Sequence, residues 1–287
     1  MPFLFHKMVI AGVGLLGASI ALAARRCGIV AEIIGYGRGV ESLSLASERR
    51  MIDDYFIDSE RFPAGTDLLM VATPVQAIVP TVRSFLPRLE PGCIVTDVGS
   101  VKLRIVRQME KLLAGKHAFV GAHPIAGSEQ WGPQHANADL FIDHRCILTP
   151  SDNTDAQAVE KISCFWRNLG AKVESMEPKV HDRLLAVVSH LPHVAAYALV
   201  NTLSKTEVDG IDLKRYCAGG FKDITRIASS RPELWRDICL ANREAVASSL
   251  AKYIRQLNQL KSWITEGESQ RLELEFARAN EVRRQIG

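Results

Sequence analysis

The sequence has no pair of cysteines at C-x-x-C spacing, although six cysteines occur among its 287 residues. That absence argues against a zinc cluster or a dithiol centre. Basic and acidic residues are nearly balanced, at 35 and 32, so neither nucleic acid nor an acidic membrane surface is an expected partner. No uninterrupted apolar run reaches about 18 residues, and the amino-terminal segment leads directly into a strand and a glycine motif. We therefore expect a cytoplasmic protein with no membrane helix, no signal peptide and no metal site.

Short apolar segments alternate with amphipathic stretches over the first part of the chain. Strands that are apolar throughout and joined by helices are typical of a parallel sheet covered on both faces. The predicted strands are Lys7–Ala11, Ala31–Tyr36, Asp67–Thr73, Cys93–Val98, Ala118–Ala122, Arg145–Thr149 and Lys172–Met176. The pattern predicts an α/β domain over residues 1–177.

After Pro178 the strand signals disappear and apolar residues recur at helical spacing. One stripe has steps of 4, 3, 4, 3 and 4 residues, a spacing typical of a seam against another helix. It consists of Val246, Leu250, Tyr253, Leu257, Leu260 and Ile264. We expect an all-α domain over residues 178–287 that dimerises. The alternative is a self-contained bundle whose apolar stripes face inward.

The motif GVGLLG lies directly after the first predicted strand and opens a predicted helix, Leu15–Cys27. Glycines in this context allow a tight turn and a close approach to a pyrophosphate, while the helix start supplies free N–H groups. The residues predicted to bind a dinucleotide here are Gly12, Gly14, Leu15, Leu16 and Gly17. The alternative is an ordinary glycine-rich turn.

The end of the second strand bears on the choice of dinucleotide. An NAD site favours a carboxylate there, but this position falls near Gly37 and is followed by Arg38. Glu32 lies at the start of the strand, too early to reach the ribose. A guanidinium suits the 2′-phosphate of NADP, so NADP is favoured and NAD remains the alternative.

Three strand ends carry residues suited to a ligand crevice, because ligands of open α/β sheets bind outside the carboxyl ends of the strands. One delivers Thr73 and Pro74, the next Ser100 and Lys102, and the third His123. A lone histidine after a strand is more often structural, but the shared edge favours a functional role for His123.

Two motifs in the helical part add polar residues. In SHLPH, Ser189 and His193 are four residues apart and share a helix face, while Pro192 leaves the carbonyl of Val188 unpaired. In GGFKDITR, Lys222 and Arg226 are also four apart. These cations either form a solvated surface or bind a carboxylate.

Taken together, GVGLLG, ATPV, DVGSVK, HPIAGSE, SHLPH and GGFKDITR resemble the prephenate/arogenate dehydrogenases of tyrosine biosynthesis. The resemblance runs from about Met8 to about Ala247. It implies a Rossmann-type domain followed by a helical dimerisation domain, on the plan of 6-phosphogluconate dehydrogenase. The implied reaction is oxidative decarboxylation of prephenate or arogenate, with hydride transfer to NAD(P).

The resemblance also implies roles for individual residues. His123 accepts the proton of the substrate hydroxyl, and Ser100 is its hydrogen-bonding neighbour and also contacts the cofactor. Arg226 binds a substrate carboxylate, and the pocket is lined by Ser189, His193, Lys222 and Glu129.

The chain departs from many relatives after HPIAGSE, where Gln130 and Trp131 replace a Lys-Ser-Gly type of sequence. Losing a cation here favours arogenate, whose own ammonium a lysine would repel. Two rival functions keep the fold. One is an NADP-dependent β-hydroxyacid dehydrogenase or imine reductase that uses Lys222. The other is a non-enzymatic redox sensor that binds NADP.

Overall fold

The structure, a computed structural model, describes residues 2–113, 115–127 and 130–286. Its strands are β1 Phe5–Ala11, β2 Val30–Tyr36, β3 Asp54–Phe56, β4 Leu68–Val71, β5 Ile94–Asp97, β6 Ala118–Val120, β7 Ala122–Pro124, β8 Arg145–Leu148 and β9 Lys172–Ser175. Its first nine helices are α1 Leu15–Cys27, α2 Val40–Glu48, α3 Val75–Phe85, α4 Leu103–Leu113, α5 Ala156–Asn168, α6 Pro178–Leu185, α7 Leu191–Lys205, α8 Gly219–Thr225 and α9 Pro232–Ala241. The two remaining helices are α10 Arg243–Glu266 and α11 Ser269–Gln285.

The main sheet has six parallel strands in the order β3-β2-β1-β4-β5-β6. This is the strand order of doubly wound dinucleotide-binding folds. Alternate residues of β1 belong to opposite faces: Met8 and Ile10 join one buried cluster, and Val9 and Ala11 join the other. The continuous apolar run is therefore explained by burial on both faces, and the predicted α/β fold is confirmed.

The segment that carries His123 differs from the prediction. Residues 118–122 were expected to form one strand of the parallel sheet, but β6 ends at Val120, and β7 pairs antiparallel with β8 in a second sheet of order β7-β8-β9. Gly121 allows this change of sheet, because a Cβ there would lie 2.6 Å from the Thr149 hydroxyl oxygen. His123 therefore lies within a strand opposite Ile147, not at the end of a parallel strand. The short strand β3 was not predicted.

Helices α6 and α7 form one continuous helix, joined by a π-helical turn over Ala186–His190. Pro192 stands at the start of α7, and its missing N–H fits the expected disturbance of the helical hydrogen bonds there. By length and composition alone, this 28-residue helix is apolar enough to cross a membrane. Its buried polar residues His181, Asp182 and His190 nevertheless make hydrogen bonds within the protein.

The chain divides into two compact units, Met1–Asn242 and Arg243–Gly287. Helices α6–α9 thus belong to the same unit as the sheets, whereas the predicted domain boundary lies at 177/178. In the second unit, α10 and α11 contact each other, and Gln256 Nε2 donates to Glu275 Oε1 at 2.6 Å. The apolar stripe of α10 is only partly covered in the single chain: Val246 is buried, whereas Leu257 and Ile264 are 45% and 65% exposed.

Candidate active site

The glycine loop connects β1 to α1, and each of its glycines has a distinct environment. Gly12 has a φ of +99°, and a Cβ there would lie 2.6 Å from the carbonyl oxygen of Ala72. A Cβ on Gly17 would lie 2.1 Å from the carbonyl oxygen of Gly12. Gly14 faces open space, with no atom within 4 Å of such a Cβ. Two glycines therefore shape the loop, and the third leaves room for a ligand against the backbone.

The amino-terminus of α1 is suited to an anion. No side chain caps it, and its first turn contains no acidic residue, so the N–H groups of Leu15 and Leu16 are not neutralised locally. The hydroxyl of Thr73 lies in the same region, is buried and has no hydrogen-bond partner among the described residues. Pro74 follows it and leads into α3. A dinucleotide pyrophosphate fits these groups.

The end of β2 carries the residues that bear on the cofactor's ribose. After Tyr36 and Gly37 comes Arg38, whose side chain is exposed and has no ion pair in the described part of the chain. Glu32 lies at the other end of the strand and pairs with Lys7 at 3.1 Å. The guanidinium is thus available to a phosphate, and the one carboxylate of β2 is engaged elsewhere.

His123 is buried in β7, and its ring contacts a second histidine. Its Nδ1 lies 2.9 Å from Nε2 of His181 on α6. Burial, reinforced by the nearby His181 and Lys102, holds the pKa of His123 well below its ordinary value, so the imidazole is neutral at physiological pH. Ser100, expected to be its hydrogen-bonding neighbour, is half-buried and makes no hydrogen bond to the ring within the described residues. The observed neighbour is His181.

A buried ion pair supports the backbone around His123. The fully buried ammonium of Lys102 pairs with Asp97 and also donates to the carbonyl oxygen of Ala122 at 2.8 Å. Asp97 in turn accepts from the N–H of Gly99 at 2.9 Å. The pair therefore connects the end of β5 to the residue that precedes His123.

The helical segments contribute a stacked pair of rings. His193 lies against Trp235 of α9, with ring centroids 3.5 Å apart and an interplanar angle of 19°. Its Nδ1 donates to the carbonyl oxygen of Ser189 at 2.9 Å, which leaves Nε2 without a proton. Burial, with a contribution from the charge of Arg226, lowers the pKa of His193. Ser189, His193 and Arg226 are therefore gathered in one region.

Lys222 and Arg226 are both exposed, but only Lys222 lies on α8, because the helix gives way to a 3₁₀ turn at Arg226. Glu129 lies outside the described residues. Next to it, Trp131 is exposed, and the guanidinium of Arg231 lies 5.7 Å from its ring centroid. A cation therefore stands beside Trp131 although the sequence places none directly after residue 129.

Sequence reasoning missed most of the residues behind His123. Lys102 was noted only as a residue at a strand end, and His181, Asp182 and His190 were not singled out. No local pattern marks His181 and Asp182, because α6 also contains the charged residues Lys179 and Arg183, and polar residues in such a segment are mostly exposed.

The unit Met1–Asn242 combines an uncapped helix start that suits an anion with a buried, neutral imidazole, and dinucleotide-dependent oxidoreductases use groups of both kinds. Comparisons identify the family. The model of the prephenate dehydrogenase nucleotide-binding domain matches residues 20–175, and that of the prephenate dehydrogenase dimerization domain matches residues 177–278.

Individual relatives agree over nearly the whole chain. Prephenate dehydrogenase of Bacillus subtilis is 35% identical, over 96% of this chain and 75% of its own. Cyclohexadienyl dehydrogenase of Zymomonas mobilis is 34% identical, over 97% of this chain and 95% of its own. The crystal structure of Aquifex aeolicus prephenate dehydrogenase, in complex with hydroxyphenyl propionate and NAD+, has a TM-score of 0.94 and 36% identity, and 98% of each chain is covered. The chain belongs to the prephenate dehydrogenase family, whose members are NAD(P)-dependent oxidoreductases.

Proposed function

We propose that this enzyme oxidises prephenate, arogenate or both in tyrosine biosynthesis, with loss of carbon dioxide to form the phenol ring. The observation that carries the proposal is the buried, neutral imidazole of His123 in a chain of this family. A neutral imidazole is a suitable acceptor for the proton of the substrate hydroxyl. A bound nicotinamide would supply the hydride acceptor for the ring carbon that carries this hydroxyl.

The proposed roles of the other residues follow from their chemistry. Ser100 orients the hydroxyl and contacts the cofactor, and Arg226 binds a substrate carboxylate with its forked N–H groups. Ser189 and His193 line the substrate pocket, with Lys222 and Glu129 as further contacts. The stacking of His193 on Trp235 supports its role, because it fixes the ring and leaves Nε2 as an acceptor.

The proposed cofactor is NADP, held at its phosphates by the residues Gly12, Gly14, Leu15, Leu16, Gly17, Thr73 and Pro74. Arg38 is exposed and has no ion pair among the described residues, which supports a contact to the 2′-phosphate. Replacing Arg38 with Gln is expected to raise KM for NADP about 10- to 100-fold, the usual worth of a charge-assisted hydrogen bond, and to leave KM for NAD nearly unchanged. Arg49→Gln, on an exposed residue after α2, is the control. Equal KM values for NADP in wild type and Arg38→Gln would contradict the assignment.

Both cyclohexadienols remain candidate substrates. The sequence places no cation at Gln130 and Trp131, but Arg231 supplies one through its contact with the Trp131 ring. The missing lysine therefore no longer favours arogenate by itself, because Arg231 places a positive charge beside Trp131 that would repel the arogenate ammonium. Comparing kcat/KM for the two substrates in wild type, Gln130→Lys and Arg231→Gln separates the contributions.

We further propose that the enzyme is a cytoplasmic homodimer joined through its helical segments. Exposed apolar side chains on two parts of the chain support this: Val187 and Val188 in the helix 178–205, and Leu257 and Ile264 on α10. Pairing with a second chain would cover such side chains, which a soluble monomer rarely exposes in a large patch.

The test is the initial rate of reduced-cofactor formation, with NADP and NAD each assayed against prephenate and arogenate. His123→Asn is expected to lower kcat about 10²- to 10⁴-fold while the dinucleotide still binds. Lys222→Met is the matched variant, since a β-hydroxyacid dehydrogenase that used Lys222 would lose its activity there and keep it in His123→Asn. No turnover with any of the four pairs would overturn the proposal.

A further inference from the structure

Three side chains form a buried hydrogen-bonded line that ends at His123. Nδ1 of His123 lies 2.9 Å from Nε2 of His181, and Nδ1 of His181 lies 2.8 Å from Oδ1 of Asp182. The carboxylate is fixed in turn, because it accepts from the backbone N–H groups of Lys102 at 2.8 Å and Leu103 at 3.0 Å. Asp182 of α6 thereby caps the start of α4.

The positions of the protons follow from this geometry. An ionised carboxylate only accepts hydrogen bonds, so the proton of neutral His181 lies on Nδ1 and its Nε2 carries a lone pair. Nδ1 of neutral His123 must then donate to that lone pair. The remaining nitrogen of His123, Nε2, is left without a proton and is free to accept one.

We propose that His181 and Asp182 are positioning residues that hold His123 in the tautomer protonated on Nδ1, so that Nε2 is the atom that accepts the substrate's hydroxyl proton. The inference rests on the proposed function, in which His123 is the proton acceptor. In the step itself, the O–H bond of the substrate breaks and an N–H bond forms at Nε2. The resulting imidazolium keeps its Nδ1–H bond to His181, and the Asp182 carboxylate one ring away balances its charge.

The surroundings favour this arrangement over a protonated pair of histidines. Burial lowers the pKa of both His123 and His181, and the ammonium of Lys102 opposes a further positive charge there. The other titratable groups near the line are Asp97, which pairs with Lys102, and His190, whose Nδ1 lies 3.2 Å from Nδ2 of Asn242. Asn242 donates to the carbonyl oxygen of Asp182 at 2.7 Å and so holds its backbone as well.

The first test needs no variant. Two-bond ¹H–¹⁵N correlation spectra of the full-length, ¹⁵N-histidine-labelled protein with bound NADP report which ring nitrogen of each neutral histidine is protonated. His123 is expected to be protonated on Nδ1, with its signals assigned from His123→Asn. A His123 protonated on Nε2 in the wild type would overturn the proposal.

The second test compares two substitutions of one residue. His181→Phe keeps a ring but removes the acceptor, and it is expected to move the His123 proton to Nε2 and to lower kcat about 10- to 100-fold with KM changed less than about threefold. His181→Gln retains an oxygen acceptor and should keep the Nδ1–H tautomer and most of kcat. His190→Gln, the same substitution on a neighbouring buried histidine, should leave the His123 tautomer unchanged.

An unaltered tautomer or an unaltered kcat in His181→Phe would also overturn the proposal. If His181→Phe does not fold, the wild-type spectrum and His181→Gln still decide it. Failure of the proposed function has a different signature: His123→Asn would keep its activity, whatever tautomer the spectra report.

Discussion

Removing the charge of Lys102 should strongly destabilise the protein, because it leaves the Asp97 carboxylate buried without its partner. Both side chains are 0% exposed, and the Lys102 ammonium also bonds the carbonyl oxygen of Ala122. Breaking one side of a buried ion pair typically costs about 3–5 kcal/mol. For a folded unit of this size, that loss corresponds to a fall in Tm of about 6–20 °C.

Urea unfolding and thermal melts of Lys102→Met measure this effect. The matched control is Lys172→Met, which breaks a pair of the same chemistry, Lys172 with Asp143 at 2.9 Å, whose side chains are 64% and 78% exposed. An exposed pair contributes about 0–1 kcal/mol, so the control should be nearly neutral. The double variant Asp97→Asn/Lys102→Met should recover part of the loss, since no buried charge remains unpaired. A loss below about 1 kcal/mol in Lys102→Met would refute the reasoning.

Three further predictions concern the glycine loop, a buried histidine and the exposed helices. Gly17→Ala should lower both Tm and dinucleotide affinity, because its Cβ would meet the Gly12 carbonyl, whereas Gly14→Ala should weaken dinucleotide binding alone. Titration calorimetry measures the affinity and thermal melts measure Tm. A Gly17→Ala variant with normal Tm and normal affinity would contradict the loop geometry. Burial lowers the pKa of His190 to about 4, so the neutral ring stabilises the fold above the unfolded pKa of about 6.5, and that stability is lost as pH falls toward 4. From pH 7 to pH 5 the free energy of unfolding, measured in urea, should fall by about 2 kcal/mol more in the wild type than in His190→Gln. Equal losses in the two proteins would contradict the lowered pKa of His190. Ile264→Glu should shift sedimentation toward monomer, with Arg255→Glu on the opposite face of α10 as the control; a dimer in both would exclude this face from the interface.

The parallel sheet and the glycine loop were predictable because their signals are local. β1 and β2 are buried on both faces, so their apolar runs mark them without reference to any other segment. The site was predictable only in part. His123 was identified, yet its strand was assigned to the wrong sheet, because the change of sheet depends on the close approach of Gly121 to Thr149, 28 residues further along the chain.

The sequence by itself determined the fold class, the dinucleotide loop and the resemblance that led to the family, since each depends on residue types at short, fixed spacings. Only the tertiary structure decided what stands behind His123. Its partner His181 is 58 residues away, and Asp182 reaches back 80 residues to the N–H of Lys102. No periodicity encodes such pairings; they arise because buried polar groups must find partners once α6 packs against α4.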